Sequence, residues 1–327
     1  MYKITTDDVN KLEPMTFADL DMQESDIEEL LRQNIDMICD EEESMLIVGK
    51  QVRNAQLGRS DLTAIDNHGD IVLIEIKRDR KDIENRRESF EFQAIRYAAS
   101  YATIEDEEDL VNKVYAPYIE KYRHEFKHES TSLTSTELAM RKLNEFLTDN
   151  NASGFNKRQK IVLVASDFDE QTISAVAWLN NNGVDISCYK LIPYQLNEEI
   201  LLQIEKILPI NDYNDYYVDL LHRSSSLAKR KRRGTRRTLP RIHDMLEWGV
   251  VKEGDILVAK GRDSEGTLLA NGNILVDGEE QSLSNWLKDV FEYSSVRTYS
   301  FSVHKESGKT LSEIRQEYME RQAIQIE

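Results

Sequence analysis

Gly58-Arg59-Ser60-Asp61-Leu62-Thr63-Ala64-Ile65-Asp66-Asn67-His68-Gly69-Asp70-Ile71-Val72-Leu73-Ile74-Glu75-Ile76-Lys77 contains two strand-like runs around a cluster of turn formers. Residues 61–65 and 71–77 therefore read as an antiparallel hairpin. Val72, Ile74 and Ile76 make one face of the second run apolar, and Ile71 and Leu73 begin the other, which predicts a strand buried on both sides. That second face ends in Glu75 and Lys77, charges that are costly inside a sheet unless paired or bound. A turn centred on His68 sets residue 61 opposite residue 75. Opposed side chains share a face, as do alternate side chains along one strand, so Asp61, Glu75 and Lys77 are expected to converge. A one-residue slip in register would scatter them.

Two carboxylates and an ammonium in one pocket suit a hard divalent cation. Mg²⁺ takes one or two carboxylates, a carbonyl and several waters. Asp61, Glu75 and the carbonyl of Ile76 are the expected ligands, with Mn²⁺ able to substitute. Lys77 would orient or deprotonate a water and offset phosphate charge, while the cation polarises a scissile phosphate. The alternative is a buried salt bridge between strands. Downstream, 83–102 reads as one long helix, and Gln93 and Tyr97 lie on one face at i and i+4. Upstream, Ser25 and Asp26 are placed to cap a helix over 27–38, followed by a strand at 45–52.

Ser60-Asp61, the strand–turn–strand, Glu75-Ile76-Lys77 and Gln93-x-x-x-Tyr97 together resemble the PD-(D/E)xK nuclease superfamily, above all its RecB-like and NucS-like branches. The resemblance covers roughly residues 20–105. Ser60 stands where the family label has proline. The resemblance implies an α/β fold: a restriction-endonuclease-like mixed sheet flanked by helices. It also implies catalytic roles for Asp61, Glu75, Lys77, Gln93 and Tyr97, and a glutamate from the first helix. Of Glu24, Glu28 and Glu29, Glu28 is the favoured candidate.

Outward from this core, 105–150 reads as an acidic helical insert that mostly faces solvent, followed by a strand at 161–165, a helix at 172–181 and a strand at 184–191. Asp167-Phe168-Asp169 is taken as a loop and helix cap rather than a metal motif. His124 and His128 have zinc-compatible spacing but no evident third ligand. Small polar residues, a basic run and a Gly/Pro pair mark a linker at 223–240, dividing a domain at 1–222 from one at 241–327.

The second part reads as a small α+β domain. A helix is expected at 239–247, strands at 255–260, 266–270, 273–277 and 296–303, and helices at 284–291 and 311–321. Gly254-Asp255-Ile256-Leu257, Gly272-Asn273-Ile274-Leu275-Val276-Asp277-Gly278 and Gly308-Lys309-Thr310-Leu311-Ser312-Glu313-Ile314-Arg315 are similar to the restriction-and-adenine-methylase-associated (RAMA) domain. That resemblance implies a role in choosing DNA. Tyr299 and Phe301 depart from the family's aromatic pair, which puts a carried-over ligand contact in doubt.

The net charge of −18 is uneven: from Lys229 onward there are 17 basic and 16 acidic residues, so the acidity lies upstream. Lys229, Arg230, Lys231, Arg232, Arg233, Arg236 and Arg237 form a local basic run that suits a nucleic-acid backbone, or a solvated linker. Arg59 and Arg78 flank the pocket in sequence, as do Arg53 and Arg80, and are candidates for phosphate contact.

No apolar run is long enough to span a bilayer, and two cysteines cannot form a disulfide framework. A cytoplasmic protein with no membrane partner is the expectation. The combined reading is a Mg²⁺-dependent DNA endonuclease of restriction or defence type. It would act on duplex rather than single-stranded DNA and could work as a homodimer. Its rivals are a DNA-binding protein that does not cut, and a repair or RNA-directed nuclease.

Overall fold

A computed structural model describes residues 1–6, 8–54, 58–85, 88–126, 132–209 and 239–325. Its contacts divide the chain into two compact units, residues 1–38 with 47–235, and residues 39–46 with 236–327.

The first unit is built on a mixed six-stranded sheet flanked by helices. A small hairpin, β1 (Tyr2–Ile4) with β2 (Val9–Lys11), precedes helix α1 (Glu24–Gln33) and a 3₁₀ turn at Ile35–Ile38. The sheet follows with β3 (Met45–Arg53), β4 (Arg59–Asp66) and β5 (Ile71–Ile76). Short helix α2 (Arg80–Glu84) and helix α3 (Phe90–Tyr101) come next. The insert comprises α4 (Glu107–Leu110), a π-helical turn at Val111–Tyr115, α5 (Ala116–Lys121) and α6 (Ser135–Asp149). Strand β6 (Lys160–Ala165), helix α7 (Glu170–Asn181), and strands β7 (Ile186–Leu196) and β8 (Glu199–Leu208) complete the unit. The sheet order is β3-β4-β5-β6-β7-β8. β5, β6 and β7 run parallel, while β4 pairs β5 and β8 pairs β7 antiparallel.

The central hairpin has the register expected from its turn. Leu62 faces Ile74, and the pairing runs to Ile65 opposite Ile71. Every residue of β5 is buried, as a strand between β4 and β6 requires.

Helix α1 differs from expectation. It starts at Glu24, three residues early, because Gln23 is its N-cap and Asp26 Oδ2 accepts from the Gln23 amide at 2.8 Å. The 27–38 helix is thus shorter and ends in the 3₁₀ turn. The expected long helix over 83–102 is two helices, α2 and α3, with Ser89 as the N-cap of the second.

The insert is helical but does not mostly face solvent. Leu110, Val111, Ile119, Leu138, Leu143 and Phe146 are fully buried, a helical-period stripe that the acidic run at 105–109 conceals in composition. Arg32 ties α1 to this insert. Its guanidinium donates to Glu29, to the Tyr118 hydroxyl (2.9 Å) and to Glu125 (2.8 Å), and stacks over Tyr122. Phe146→Ala is accordingly expected to cost about 3–5 kcal/mol in denaturant unfolding. A solvent-facing helix would lose about 0.5 kcal/mol or less.

The second unit carries α8 (Ile242–Glu247), strands β9 (Ile256–Ala259), β10 (Glu265–Leu268), β11 (Ile274–Val276) and β12 (Glu279–Gln281), α9 (Leu283–Phe291), α10 (Thr298–Phe301), β13 (Ser302–His304) and α11 (Leu311–Gln325). Its five-stranded antiparallel sheet has the order β12-β11-β10-β9-β13. The strand expected at 296–303 is instead a helical turn followed by a three-residue strand. Packing decides this: the buried Tyr299 hydroxyl accepts from the Ile242 amide at 2.7 Å, and Phe301 meets Phe291 edge-on. Both aromatics are core residues.

Residues 39–46 also belong to this unit. Met45 bridges Ser295, the Arg297 amide donates to Ser44 Oγ at 2.9 Å, and Arg315 pairs with Glu42.

Candidate functional site

The site lies where α1 meets β4 and β5. Glu24 and Glu28 are one helical turn apart on α1 and so share a face. With Asp61 of β4 they offer carboxylate oxygens that all lie within 4.8 Å of one another. Glu28 and Asp61 are buried, whereas Glu24 is about one-third exposed. Burial pushes the Asp61 carboxyl up to about 6, against the pull of Lys77 and of the Ile76 amide, which donates to Asp61 Oδ2 at 2.8 Å. Burial likewise raises Glu28, opposed by a hydrogen bond from Gln51.

Lys77, just past the end of β5, is 1% exposed. Its Nζ donates to Glu24 Oε1 at 2.9 Å and to the Ile76 carbonyl, and lies 3.9 Å from Asp61 Oδ2. Three hard oxygens thus already surround a positive charge.

Glu75 is fully buried on β5 and accepts from Gln93 Nε2 at 3.5 Å. Gln93 Nε2 also lies 3.4 Å from the Tyr97 hydroxyl, which in turn accepts from the Arg59 amide at 3.1 Å. A Cβ at Gly58 would fall 2.6 Å from the Tyr97 ring, so this close approach needs glycine. Ser60 puts its hydroxyl to use: the Tyr101 hydroxyl lies 2.9 Å from Ser60 Oγ and 2.6 Å from Thr63 Oγ1, pinning α3 to β4.

The residues singled out in the sequence therefore divide. Asp61, Lys77 and Glu28 come together, and Glu24 joins them in preference to Glu29, which is engaged with Arg32 and Lys50. Glu75, Gln93 and Tyr97 form an adjoining chain of hydrogen bonds. Arg59 is exposed and donates to Gln51 Oε1 at 3.0 Å. Arg78 pairs with Asp79 and Asp82, and Arg80 with Glu84. Asp169 caps α7 by accepting from the Thr172 amide at 2.9 Å. His124 is largely exposed, and His128 lies outside the described residues. The basic run Lys229, Arg230, Lys231, Arg232, Arg233, Arg236 and Arg237 also lies outside them.

Gln51 is the residue that motif reading misses. Its Nε2 donates to Glu28 Oε1 at 2.7 Å and lies 3.3 Å from Asp61 Oδ1. It sits on β3 with φ +57°, a left-handed conformation rare for a non-glycine residue. The sequence signal is faint: only the break in apolar alternation at Gly49-Lys50-Gln51 marks it.

These residues fit a divalent cation. The donor set is all oxygen, and it gathers three carboxylates beside a single ammonium. Burial raises Asp61, and the charges of Glu28 and Glu24 add to that in smaller measure. Comparison of the chain with family models, with curated proteins and with solved structures gives no match in any of the three. Among the described residues, no helix is long and apolar enough to cross a membrane.

Proposed function

We propose that the first unit is a metal-dependent endonuclease of the PD-(D/E)xK type, hydrolysing phosphodiester bonds in DNA. The observation that carries this reading is the cluster of Glu24, Glu28 and Asp61 around the buried Lys77, on elements in the order the resemblance requires. Glu24, Glu28 and Asp61 would hold Mg²⁺ or Mn²⁺, with the Ile76 carbonyl and Glu75 alongside. When bound, the cation polarises the scissile phosphate and lowers the pKa of a coordinated water.

The chain's own groups do the rest. Lys77 would supply positive charge where the phosphoryl oxygens gain negative charge, and its Nζ, 2.9 Å from Glu24 Oε1, would reach a water bound at that carboxylate. Gln93 and Tyr97 orient Glu75 and fix the start of β4 through the Arg59 amide. Arg59, exposed and bonded to Gln51 of the site, would meet the nucleic-acid backbone.

The second unit, similar in its motifs to RAMA domains, would bias which DNA is cut. Its glycine-marked turns fit the motif resemblance alone: Gly254, Gly272, Gly278 and Gly308 all have positive φ. A restriction or defence role on duplex DNA fits the pairing.

The test is incubation of the full chain with supercoiled plasmid from methylating and non-methylating hosts, single-stranded DNA and RNA, each with Mg²⁺, Mn²⁺ or EDTA. Nicking or linearisation of plasmid that EDTA abolishes is the expected result. DNA binding without cleavage under every metal condition would replace the nuclease reading with a binding protein. Preferential RNA cleavage would replace the substrate.

A further inference from the structure

Gln51 joins the acidic cluster to an exposed arginine, and its amide is held in one orientation from both ends. Nε2 donates to Glu28 Oε1 at 2.7 Å and lies within reach of Asp61 Oδ1 at 3.3 Å. Oε1 accepts from Arg59 Nη1 at 3.0 Å. Turning the amide over would set its oxygen against two carboxylates and its NH₂ against a guanidinium, so each end enforces the other. The backbone at this point is left-handed, φ +57°, inside strand β3, a conformation that glycine would hold without strain. Left-handed non-glycine residues gather at ligand clamps and switch regions. Neither the sheet nor the surrounding core needs a glutamine here, since Gln51 is only half-buried and its side-chain partners all belong to the site.

We propose that Arg59 and Gln51 form a relay through which a nucleic-acid phosphate tightens cation binding at Glu28 and Asp61; this rests on the metal-dependent nuclease reading above. Without nucleic acid, Arg59 holds the Gln51 amide so that its donors occupy Glu28 Oε1 and Asp61 Oδ1, on two of the three carboxylates that would hold a cation. A phosphate diester is a better partner for the guanidinium than a neutral amide oxygen, because charge-assisted pairs are shorter and stronger. Once Arg59 turns to the phosphate, the amide is released. Gln51 Oε1, a hard oxygen, is then free to face the cation, and its NH₂ no longer competes for the carboxylates. The cation and the DNA therefore bind with positive coupling, and by linkage each strengthens the other by the same factor. The consequence is regulatory: the site is loaded when DNA arrives and is weakly loaded without it.

The test measures Mn²⁺ affinity by titration calorimetry on the full chain, alone and with a saturating short duplex whose phosphorothioate linkages resist cleavage, after subtracting Mn²⁺ binding to duplex alone. In the wild type the duplex is expected to tighten Mn²⁺ binding by about 5–150-fold, the usual range for coupled sites. Gln51→Gly keeps every charge and suits the local φ, so it separates the relay from simple attraction between cation and phosphates. It is expected to cut the coupling by at least about fivefold, the low end of the range for coupled sites, leaving what direct attraction between cation and phosphates supplies. Arg59→Met is expected to do the same and to tighten Mn²⁺ binding in the absence of duplex.

Wild-type coupling retained in Gln51→Gly would overturn the relay while leaving the metal site standing. So would wild-type Mn²⁺ affinity that ignores duplex. No Mn²⁺ binding to the wild type at all would instead remove the metal-site reading, and the relay with it.

Discussion

Lys77→Met is expected to abolish cleavage and, without metal, to destabilise the first unit, with added Mn²⁺ restoring the stability but not the cleavage. The ammonium lies 2.9 Å from Glu24 Oε1 and 3.9 Å from Asp61 Oδ2, and it is the one cation that contacts the cluster directly among the described residues. Removing one member of a buried charge cluster costs about 3–5 kcal/mol because the opposite charges are left uncompensated. Glu24 is one-third exposed and Asp61 is beyond hydrogen-bond range, so the low end of that scale applies. In a unit of this size about 3 kcal/mol lowers Tm by about 6–12 °C. A divalent cation among the same carboxylates replaces the lost charge, which is why Mn²⁺ should restore Tm. It does not replace a proton-carrying group beside the water, and loss of such a group costs about 10²–10⁴-fold in rate. Thermal melts with EDTA and with Mn²⁺, beside a plasmid assay, read all three effects. A variant with unchanged melting and full cleavage would mean that Lys77 serves neither role.

Glu28→Gln should act in the opposite direction on stability while still impairing the site. Glu28 is buried next to two other carboxylates, and burial raises its carboxyl above the ordinary value near 4.5. Asp61 is raised for the same reason to about 6 from the ordinary 3.8. A group whose folded pKa lies above its unfolded value favours the folded state most below the unfolded pKa, and loses that advantage as pH rises through the folded pKa. Between about pH 4 and 6 the wild type should therefore gain stability on acidification from this pair, until other groups protonate. At pH 7 the ionised cluster is a liability. Glutamine keeps an oxygen to accept from Gln51 Nε2 and removes one charge. In EDTA at pH 7 the variant is expected to melt higher by about 2–4 °C, the scale of 1 kcal/mol in such a unit, with the difference shrinking towards pH 5. Its Mn²⁺ affinity should fall at least about tenfold, equivalent to about 1.4 kcal/mol. A Tm that drops at pH 7, or a gain that grows on acidification, would contradict this electrostatic account.

The hairpin was legible because two strand-like runs, the second almost wholly apolar, are joined by one compact cluster of turn formers. Ile71 to Ile74 are apolar on both faces and do not select a register by themselves; the turn centred on His68 does, and it sets Leu62 opposite Ile74. That register places Asp61 and Lys77 where they meet. Glu24 was named in the sequence but ranked behind Glu28, because Ser25 and Asp26 both look like caps and leave it outside the helix. The helix starts before them, and Asp26 acts from its third position. Shifting the start by three residues brings Glu24 into the first turn, directly below Glu28. The insert misled in another way: its acidic first turn dominates the composition, whereas the Leu138, Leu143 and Phe146 stripe decides its burial. Strand β8 escaped because it lies at the sheet edge and is half-exposed, so its alternation is weak. Gln51 left only the faint break at Gly49-Lys50-Gln51, which does not reveal its left-handed backbone inside a strand.

The central claim is that α1 and β4 together build a site for a divalent cation. Titration calorimetry of the full chain with Mn²⁺, for the wild type and for Asp61→Asn, tests it most directly. The substitution keeps an acceptor for the Ile76 amide and removes only the charge, so the fold should survive. The account predicts saturable binding to the wild type that Mg²⁺ displaces and that Asp61→Asn loses. No saturable binding to the wild type, or equal binding to Asp61→Asn, would contradict it.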